Sequence, residues 1–138
     1  MPHIVISGRI KNKAKIESYV HALSKELGIH RMYSKVIFLT FKTSLEDDSQ
    51  GLCWGDPADG YCDISIARTS EGKEIPFEQM MRTIAHEMVH CKQYFRYELN
   101  GWSGSWKGTK PRNYKYDNAP WEREAYKRED ELYEKCYI

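Results

Sequence analysis

The sequence has no long apolar run and almost no surplus of charge of either sign. Nothing in it approaches the ~18 consecutive apolar residues of a membrane-spanning helix, and no stretch of signal-peptide character follows Met1. These absences predict a cytoplasmic protein without a membrane partner. With 21 basic and 20 acidic residues the formal net charge is +1, which argues against a nucleic-acid-binding module.

Closely spaced pairs of cysteines are also missing. The four cysteines form no Cys-x-x-Cys pair, so the sequence gives no indication of a zinc ribbon. Cys53 and Cys62 lie on either side of a turn-rich segment and are candidates to face each other across a hairpin. In a chain without a signal peptide, free thiols are the expected state. The other two cysteines are Cys91 and Cys136.

The feature that stands out is the stretch Ile84-Ala-His-Glu-Met-Val-His-Cys91. His86 and His90 are four residues apart, so a helix places them on one face, one turn apart. Two imidazoles held in this way can bind a single Zn²⁺, and Glu87 lies beside it, where it can deprotonate a metal-bound water. The alternative is a chance match on a surface helix, with both histidines solvated.

The residues around this motif predict a long amphipathic helix. Pro76 suits a first helical turn, and Asn100-Gly101 supplies a stop. At ~100° per residue, both histidines point away from the apolar positions of this helix. We therefore expect the helix to pack on a core with one side and to present its metal-binding face to a cleft. The apolar positions recur at three- and four-residue steps: Phe77, Met80, Met81, Ile84, Met88, Cys91 and Phe95.

A third metal ligand is predicted from the last helix, because two histidines leave a catalytic zinc one protein ligand short. In the helix that Pro120 is expected to start, Glu122 falls in the middle of the apolar face, whereas Glu124 points to the opposite side. A buried carboxylate is costly unless it is paired or metal-bound, so Glu122 is the predicted ligand. The alternative is a first-turn glutamate favoured by the helix dipole. Glu129 shares the inward face and is either a partner of the ligands or a solvated residue.

The combination of these motifs resembles a known group of enzymes. The His-Glu-x-x-His string, followed on a later helix by Glu122-x-x-Ala125, looks like the gluzincin type of zincin metallopeptidase. The Trp-rich loop leading to Pro-Trp-Glu-Arg-Glu-Ala is similar to small SprT-like and phage-encoded metallopeptidases, and the resemblance covers residues 52–130. SprT proteins themselves use a third histidine, but no histidine follows His90, so a carboxylate is required in this chain. A phage-encoded protein acting in the host cytoplasm fits the resemblance.

The resemblance implies a zinc-dependent metallopeptidase with one Zn²⁺ per chain, held by His86, His90 and Glu122. Glu87 would be the general base, and a peptide or protein would be the substrate. In zincins an edge strand pairs with the extended substrate, which places the substrate along the predicted strand Tyr61–Ala67. Two other functions stay open: a catalytically inactive, zinc-stabilised binding domain, and a zinc hydrolase of a non-peptide amide.

The remaining segments predict an α+β fold in a single zincin-like domain spanning residues 1–138. We expect a small, mostly antiparallel sheet packed on the motif helix and on an N-terminal helix, and closed by the C-terminal helix. Gly28 fits the position just past the end of the N-terminal helix. The strands are expected at His3–Ser7 and Val36–Phe41, and on either side of a turn-rich segment at Leu52–Trp54 and Tyr61–Ala67.

The loop before the last helix is rich in aromatic and basic residues. Trp102 and Trp106 either line a substrate pocket or cover the underside of the cleft. A second small hairpin is expected at Trp106–Tyr116, and we expect its basic run, Lys107–Lys115, to be solvated rather than to bind nucleic acid. Candidates for stabilising an oxyanion stand just before the last helix: Tyr114 and Tyr116.

Overall fold

Residues 1–109 and 118–137 are described by a computed structural model, and they form an α+β fold. The helices are α1 at Lys13–Glu26, α2 at Phe77–Phe95 and α3 at Pro120–Tyr137. The main sheet contains β1 at His3–Gly8, β2 at Val36–Lys42, β3 at Gly51–Asp56 and β4 at Tyr61–Ala67. A small separate ribbon, β5 at Thr69–Ser70 and β6 at Lys73–Glu74, precedes α2. Within these residues, no helix has the length and the apolar composition that crossing a membrane requires.

The main sheet is mixed, so the expectation of a mostly antiparallel sheet is wrong. Its strands lie in the order β1-β2-β4-β3, and only β3 and β4 pair in antiparallel fashion. The β1–β2 and β2–β4 pairs are parallel. After β1, helix α1 returns the chain to the end of the sheet where β1 began, so β2 runs parallel to β1. After β2, strand β3 returns the chain in the same way, so β4 runs parallel to β2. Hydrophobic patterns predict each strand, but they do not show in which direction such connections run.

The helices cover one face of the main sheet. Ile37 and Leu39 of β2, with Ile64 and Ile66 of β4, are buried in the core formed with the helices. The residues that alternate with them point to the opposite face, where Phe38 is 38% exposed. Alternation of this kind is typical of a sheet with one covered face. The site described below therefore lies on the helical side of the sheet.

Helix α2 lies between the sheet and α3, packing on β3 and β4 on one side and along α3 on the other. Pro76 precedes its first residue, as predicted. Ile84 and Met88 have no exposed surface, which confirms that the apolar side of the helix packs on the core. The other side is covered as well, so nearly every residue from Met80 to Phe95 is buried. Any group held on the histidine face of α2 is therefore shielded from bulk water.

All four cysteines lie within the described residues, and all are free thiols, as expected. Cys53 of β3 and Cys62 of β4 do face each other across the hairpin, with their Sγ atoms 3.2 Å apart. The hairpin prediction is confirmed, since these two strands pair over their full length.

Candidate metal centre

Helix α2 places the two histidines of the motif one turn apart, and their side chains converge. The ring centroids of His86 and His90 lie 5.0 Å apart. Nε2 of His86 lies 3.0 Å from Glu122, and Nε2 of His90 lies 3.2 Å from it. The metal-binding atoms of all three residues lie within 4.8 Å of one another. The structure therefore brings together the three residues that the sequence predicts as ligands.

Glu122 reaches this position because α3 begins directly beside α2. It stands in the first turn of α3, and only 6% of its surface is exposed. The first turn of a helix stabilises a negative charge, so the backbone suits a carboxylate at this point. The sequence allows either a buried metal ligand or a first-turn glutamate favoured by the helix dipole. In the structure, the side chain of Glu122 is buried and faces the two histidines.

The second nitrogen of each imidazole is also held by a side chain. Nδ1 of His86 lies 3.3 Å from Oε1 of Glu129, and Nδ1 of His90 lies 2.8 Å from Oε1 of Gln93. Partners of this kind fix the tautomer and orientation of a metal-binding imidazole, leaving Nε2 directed at the metal. Of the alternatives for Glu129, the structure favours a partner of the ligands. It lies on the inward face of α3 that the helical projection identifies.

Gln93 is a functional residue that the sequence prediction missed. It has no exposed surface, and its amide nitrogen donates to the main-chain oxygen of Trp121 at 3.0 Å and to Glu124 at 2.9 Å. The amide therefore connects His90 to the first turn of α3. The one signal in the sequence is its spacing: Gln93 follows His90 by three residues, so both lie on the same helical face.

The expectation that Glu124 points away from the buried side of α3 is wrong. Its carboxylate accepts hydrogen bonds from Gln93 and from Nζ of Lys92, the latter at 2.8 Å. Burial disfavours its charged form, but these two hydrogen bonds outweigh burial and lower its pKa. The reason is that Lys92 and Gln93 of α2 lie beside the first turn of α3 and give Glu124 polar partners. The side of α3 that contacts α2 is therefore wider than the positions of its apolar residues indicate. Glu124 contacts α2 without joining the histidines.

The charges of the cluster balance one another in the metal-free protein. Burial disfavours the charged form of Glu122, yet hydrogen bonds from His86 and His90 lower its pKa to about 2. Burial opposes protonation of His86, but its hydrogen bonds to Glu122 and Glu129 raise its pKa to about 10. The pKa of His90 is raised against burial chiefly by its hydrogen bond to Glu122. In the metal-free protein, two protonated imidazoles therefore surround a carboxylate where a metal ion would supply the positive charge.

Glu87 lies beside this cluster and is buried, with 6% of its surface exposed. Burial raises its pKa to about 7, although the positive charges of His90 and His86 act in the opposite direction. It is packed closely against the start of β3, since a Cβ added to Gly51 would lie 3.0 Å from Oε2 of Glu87. It lines a cavity of about 380 Å³ together with Gln50, Gly51, Thr83, His86, Tyr126 and Glu129.

The strand beside this cavity is β3, and this corrects the predicted place of a substrate. The sequence prediction places it along Tyr61–Ala67, which is β4. In the structure β4 is paired on both sides, with β2 and with β3, so it has no edge to offer. The edge strand is β3, and Gly51 at its start lines the cavity.

Several predictions on the loop before α3 fall partly or wholly outside the described residues. Tyr114, Tyr116 and most of the proposed hairpin and basic run lie within 110–117, for which no structure is described. Trp102 is 77% exposed and contacts Trp54 edge-on at 5.1 Å, so it neither joins the core nor lines the cavity of Glu87. Trp106 lies 6.1 Å from the ring of Trp121, the residue before Glu122.

Compared with known proteins, the chain matches no protein-family model, no curated protein and no solved structure. What the site can do chemically follows from its own residues.

Proposed function

We propose that this protein is a zinc-dependent metallopeptidase of the gluzincin type. The observation that carries the proposal is the convergence of His86, His90 and Glu122, with Glu87 lining a cavity together with one of them, His86. Two imidazole nitrogens and one carboxylate are a ligand set of catalytic zinc in peptidases, which leaves the fourth position for water or substrate. Magnesium and calcium, by contrast, prefer sites made of oxygen ligands alone.

The distances within the cluster support zinc as the occupant. Four ligands arranged tetrahedrally at ~2.0–2.1 Å from a zinc ion lie about 3.3 Å from one another. The imidazole nitrogens lie 3.0 and 3.2 Å from the carboxylate of Glu122, so small movements suffice to admit the ion. The hydrogen bonds that Nδ1 of His86 donates to Glu129 and Nδ1 of His90 donates to Gln93 already hold both rings with Nε2 facing inward.

A zinc ion held by these residues would supply Lewis-acid activation of a water molecule and of the scissile carbonyl. Glu87 is the base in this proposal. It is buried beside His86 in the cavity, where its carboxylate can accept a proton from a water molecule and return it to a leaving group. Its carboxylate would take a proton from the attacking water and deliver it to the nitrogen of the leaving amine. Its close packing against Gly51 keeps the carboxylate in one position during both transfers.

Among the described residues, no strand pairs with the outer edge of β3, and this supports a peptide as the substrate. An extended peptide can pair with an exposed strand edge through main-chain hydrogen bonds. Such a peptide, added along β3, would pass the point where Gly51 meets Glu87. The absence of a side chain at Gly51 lets Thr83 and Glu87 pack directly against the strand, which brings the carboxylate close to the line that the peptide would follow.

The raised pKa of Glu87 also favours an enzyme over a domain in which zinc only stabilises the fold. A structural zinc site has no need of a second buried carboxylate beside its glutamate ligand. Keeping such a group ionised in a buried position lowers the free energy of unfolding. Strongly shifted acids of this kind are typical of catalytic sites.

The experiment compares the wild type with Glu87→Gln at matched zinc content. A broad library of peptides identifies a cleaved sequence, and its hydrolysis rate is then measured for both proteins. The amide cannot accept a proton, so the rate should fall by ~10²–10⁴-fold while one zinc per chain is retained. Glu78→Gln is the matched control, because Glu78 lies on the same helix with its side chain 63% exposed.

Metal content is measured in parallel for Glu122→Gln and Glu124→Gln. The first should lose zinc, whereas the second should retain most of it, because Glu124 contacts only Lys92, Gln93 and Arg128. Loss of zinc from Glu124→Gln alone would mean that the ligands are wrongly assigned. A zinc-loaded wild type that cleaves no peptide of the library would rule out the peptidase.

A further inference from the structure

A second and larger cavity, of about 840 Å³, lies at the start of α2. Strands β1, β2 and β4 are parallel, so their C-terminal ends lie along one edge of the sheet. The residues that follow these ends, Arg9, Thr43 and Arg68, all line the cavity, as does the first residue of α2, Phe77. The crevice outside the C-terminal ends of parallel strands is where open sheets with helices bind their ligands.

The walls of this cavity carry a surplus of positive charge. Arg9, Lys11 and Arg68 contribute +3 and Glu74 contributes −1, which leaves +2. Nζ of Lys11 lies 5.1 Å from the ring centroid of Phe77, so the ammonium is held against the start of α2. Within the described residues, none of the three cations forms an ion pair with an acid, so their charge is available to a ligand.

Arg68 is held in place and has an unsatisfied donor. Its main-chain nitrogen donates to the oxygen of Lys42 at 2.8 Å, and its main-chain oxygen accepts from Ile75 at 2.9 Å. Nη2 donates to Oγ1 of Thr43 at 2.8 Å. Nε, however, is buried and finds no acceptor among the described residues. A buried donor without an acceptor is unfavourable. Since Arg68 lines the cavity, a small turn of its guanidinium towards a bound anion would give Nε an acceptor.

The first turn of α2 adds a further preference for an anion. The main-chain N–H groups of a first helical turn have no partner within the helix, and the helix dipole places positive charge there. Pro76 stands at the capping position and makes no side-chain hydrogen bond to these groups. The acid of this turn, Glu78, pairs instead with Arg82 at 3.2 Å.

We infer that this cavity is a binding site for a phosphate group, carried on an organic molecule or free. A phosphate group has a charge of about −1.5 to −2 at neutral pH, which matches the +2 of the walls, whereas a carboxylate would neutralise only half of it. Apolar side chains, Ile10, Ile75 and Met80, line the remainder of the cavity and suit the organic part of a phosphomonoester. His86 follows Phe77 by nine residues, about 14 Å along the helix, so this site does not depend on zinc.

Calorimetric titration of the whole protein tests this inference, with inorganic phosphate, phenyl phosphate and benzoate as probes. Both phosphates should bind saturably at one site per chain, and benzoate should bind at least about tenfold more weakly than phenyl phosphate. Tighter binding of phenyl phosphate than of inorganic phosphate identifies an organic phosphate as the ligand. Equal binding of the two identifies free phosphate.

Variants locate the bound anion. Arg9→Gln and Arg68→Gln should each weaken phosphate binding about tenfold or more, since each removes a charged hydrogen-bond donor. Arg31→Gln makes the same charge change at an exposed position outside the cavity and should leave binding unchanged. Arg9 is exposed, so its variant keeps the test valid even if Arg68→Gln fails to fold.

Four results would overturn the inference. The first is the absence of saturable binding by either phosphate, and the second is equal affinity in the wild type and Arg9→Gln. The third is a loss of binding in His90→Ala together with full binding in Arg9→Gln, which would place the anion at the metal centre. Benzoate binding as tightly as phenyl phosphate would exclude a site for a dianion.

Discussion

Nδ1 of His90 lies 2.8 Å from Oε1 of Gln93, and the same amide donates to the first turn of α3. One buried side chain thus orients a metal-binding imidazole and also positions the helix that carries the third ligand. Sequence spacing alone places Gln93 near His90, but only the structure shows this second connection.

Gln93→Leu is expected to weaken zinc affinity by about 10–100-fold, as is typical when the partner of a metal-binding histidine is removed. Leucine fills a similar volume but can neither hold Nδ1 of His90 nor bond to the oxygen of Trp121. Competition with a zinc-binding dye measures the affinity. Thermal unfolding of the metal-free forms distinguishes a loss of stability from a loss of orientation. Unchanged zinc affinity would remove Gln93 from the site.

Zinc binding near pH 7 is expected to release about two protons. In the metal-free protein both nitrogens of each ring face an oxygen acceptor, and the pKa of both imidazoles is raised, so we expect both to be protonated at neutral pH. Since zinc binds neutral imidazole, its apparent affinity should rise as the pH rises. Calorimetry in buffers of different ionisation enthalpy counts the protons. If zinc binding released no protons, the two imidazoles could not be protonated in the metal-free protein, and the proposed ion pairs with Glu122 would be wrong.

Glu87→Gln is expected to stabilise the metal-free protein above pH 7. The folded carboxyl has a pKa of about 7, whereas the reference value is 4.5. As the pH rises, the folded state therefore keeps the proton of Glu87 to a higher pH than the unfolded state does. The free energy of unfolding consequently falls as the pH rises from 4.5 through 7. Glutamine avoids this loss, which is of the order of 1–3 kcal/mol. Urea unfolding at about pH 8 should show the gain, and the gain should disappear near pH 4.5. An equal gain at both pH values would exclude ionisation as its cause.

Gly51→Ala is expected to lower both stability and hydrolytic activity. The new Cβ would lie 2.6 Å from Cγ2 of Thr83 and 3.0 Å from Oε2 of Glu87, so β3 or the carboxylate has to move. Overpacking of this kind typically lowers the free energy of unfolding by about 1–3 kcal/mol. Thr83→Ser removes the closer contact and should restore part of the stability in the double variant. A double-mutant cycle measures this coupling, and strict additivity would show that the contact is not the cause.

The metal centre could be predicted from the sequence to the extent that its residues follow helical periodicity. His86, Glu87 and His90 lie within one stretch of helix, and Glu122 was placed by its phase within α3. The sequence could not show which polar residues of α3 contact α2, because this depends on how the two helices pack against each other. The contact of Glu124 with α2 depends on the neighbouring Lys92 and Gln93 of that helix.

The order of the strands could not be predicted for a similar reason. The sequence predicts the segments that form β2 and β4 as strands, but not their neighbours in the sheet. The position of β4 between β2 and β3 results from pairing between distant segments. Its alternating pattern is the same whether one or both of its edges are paired. The edge available to a peptide was therefore assigned to the wrong strand of the hairpin.

His90 and Glu122 are 32 positions apart in the chain, and zinc held between them would close that segment into a ring. The metal would then act as a cross-link, because it connects α2 to α3 independently of the backbone. After a protease cut between residues 96 and 119, the ion would add to the packing and the hydrogen bonds that already join α2 to α3, so a chelator should speed the separation of the two fragments. With such a cross-link in place, the intervening segment would not have to hold α3 by itself, and its length and sequence could vary without loss of the site.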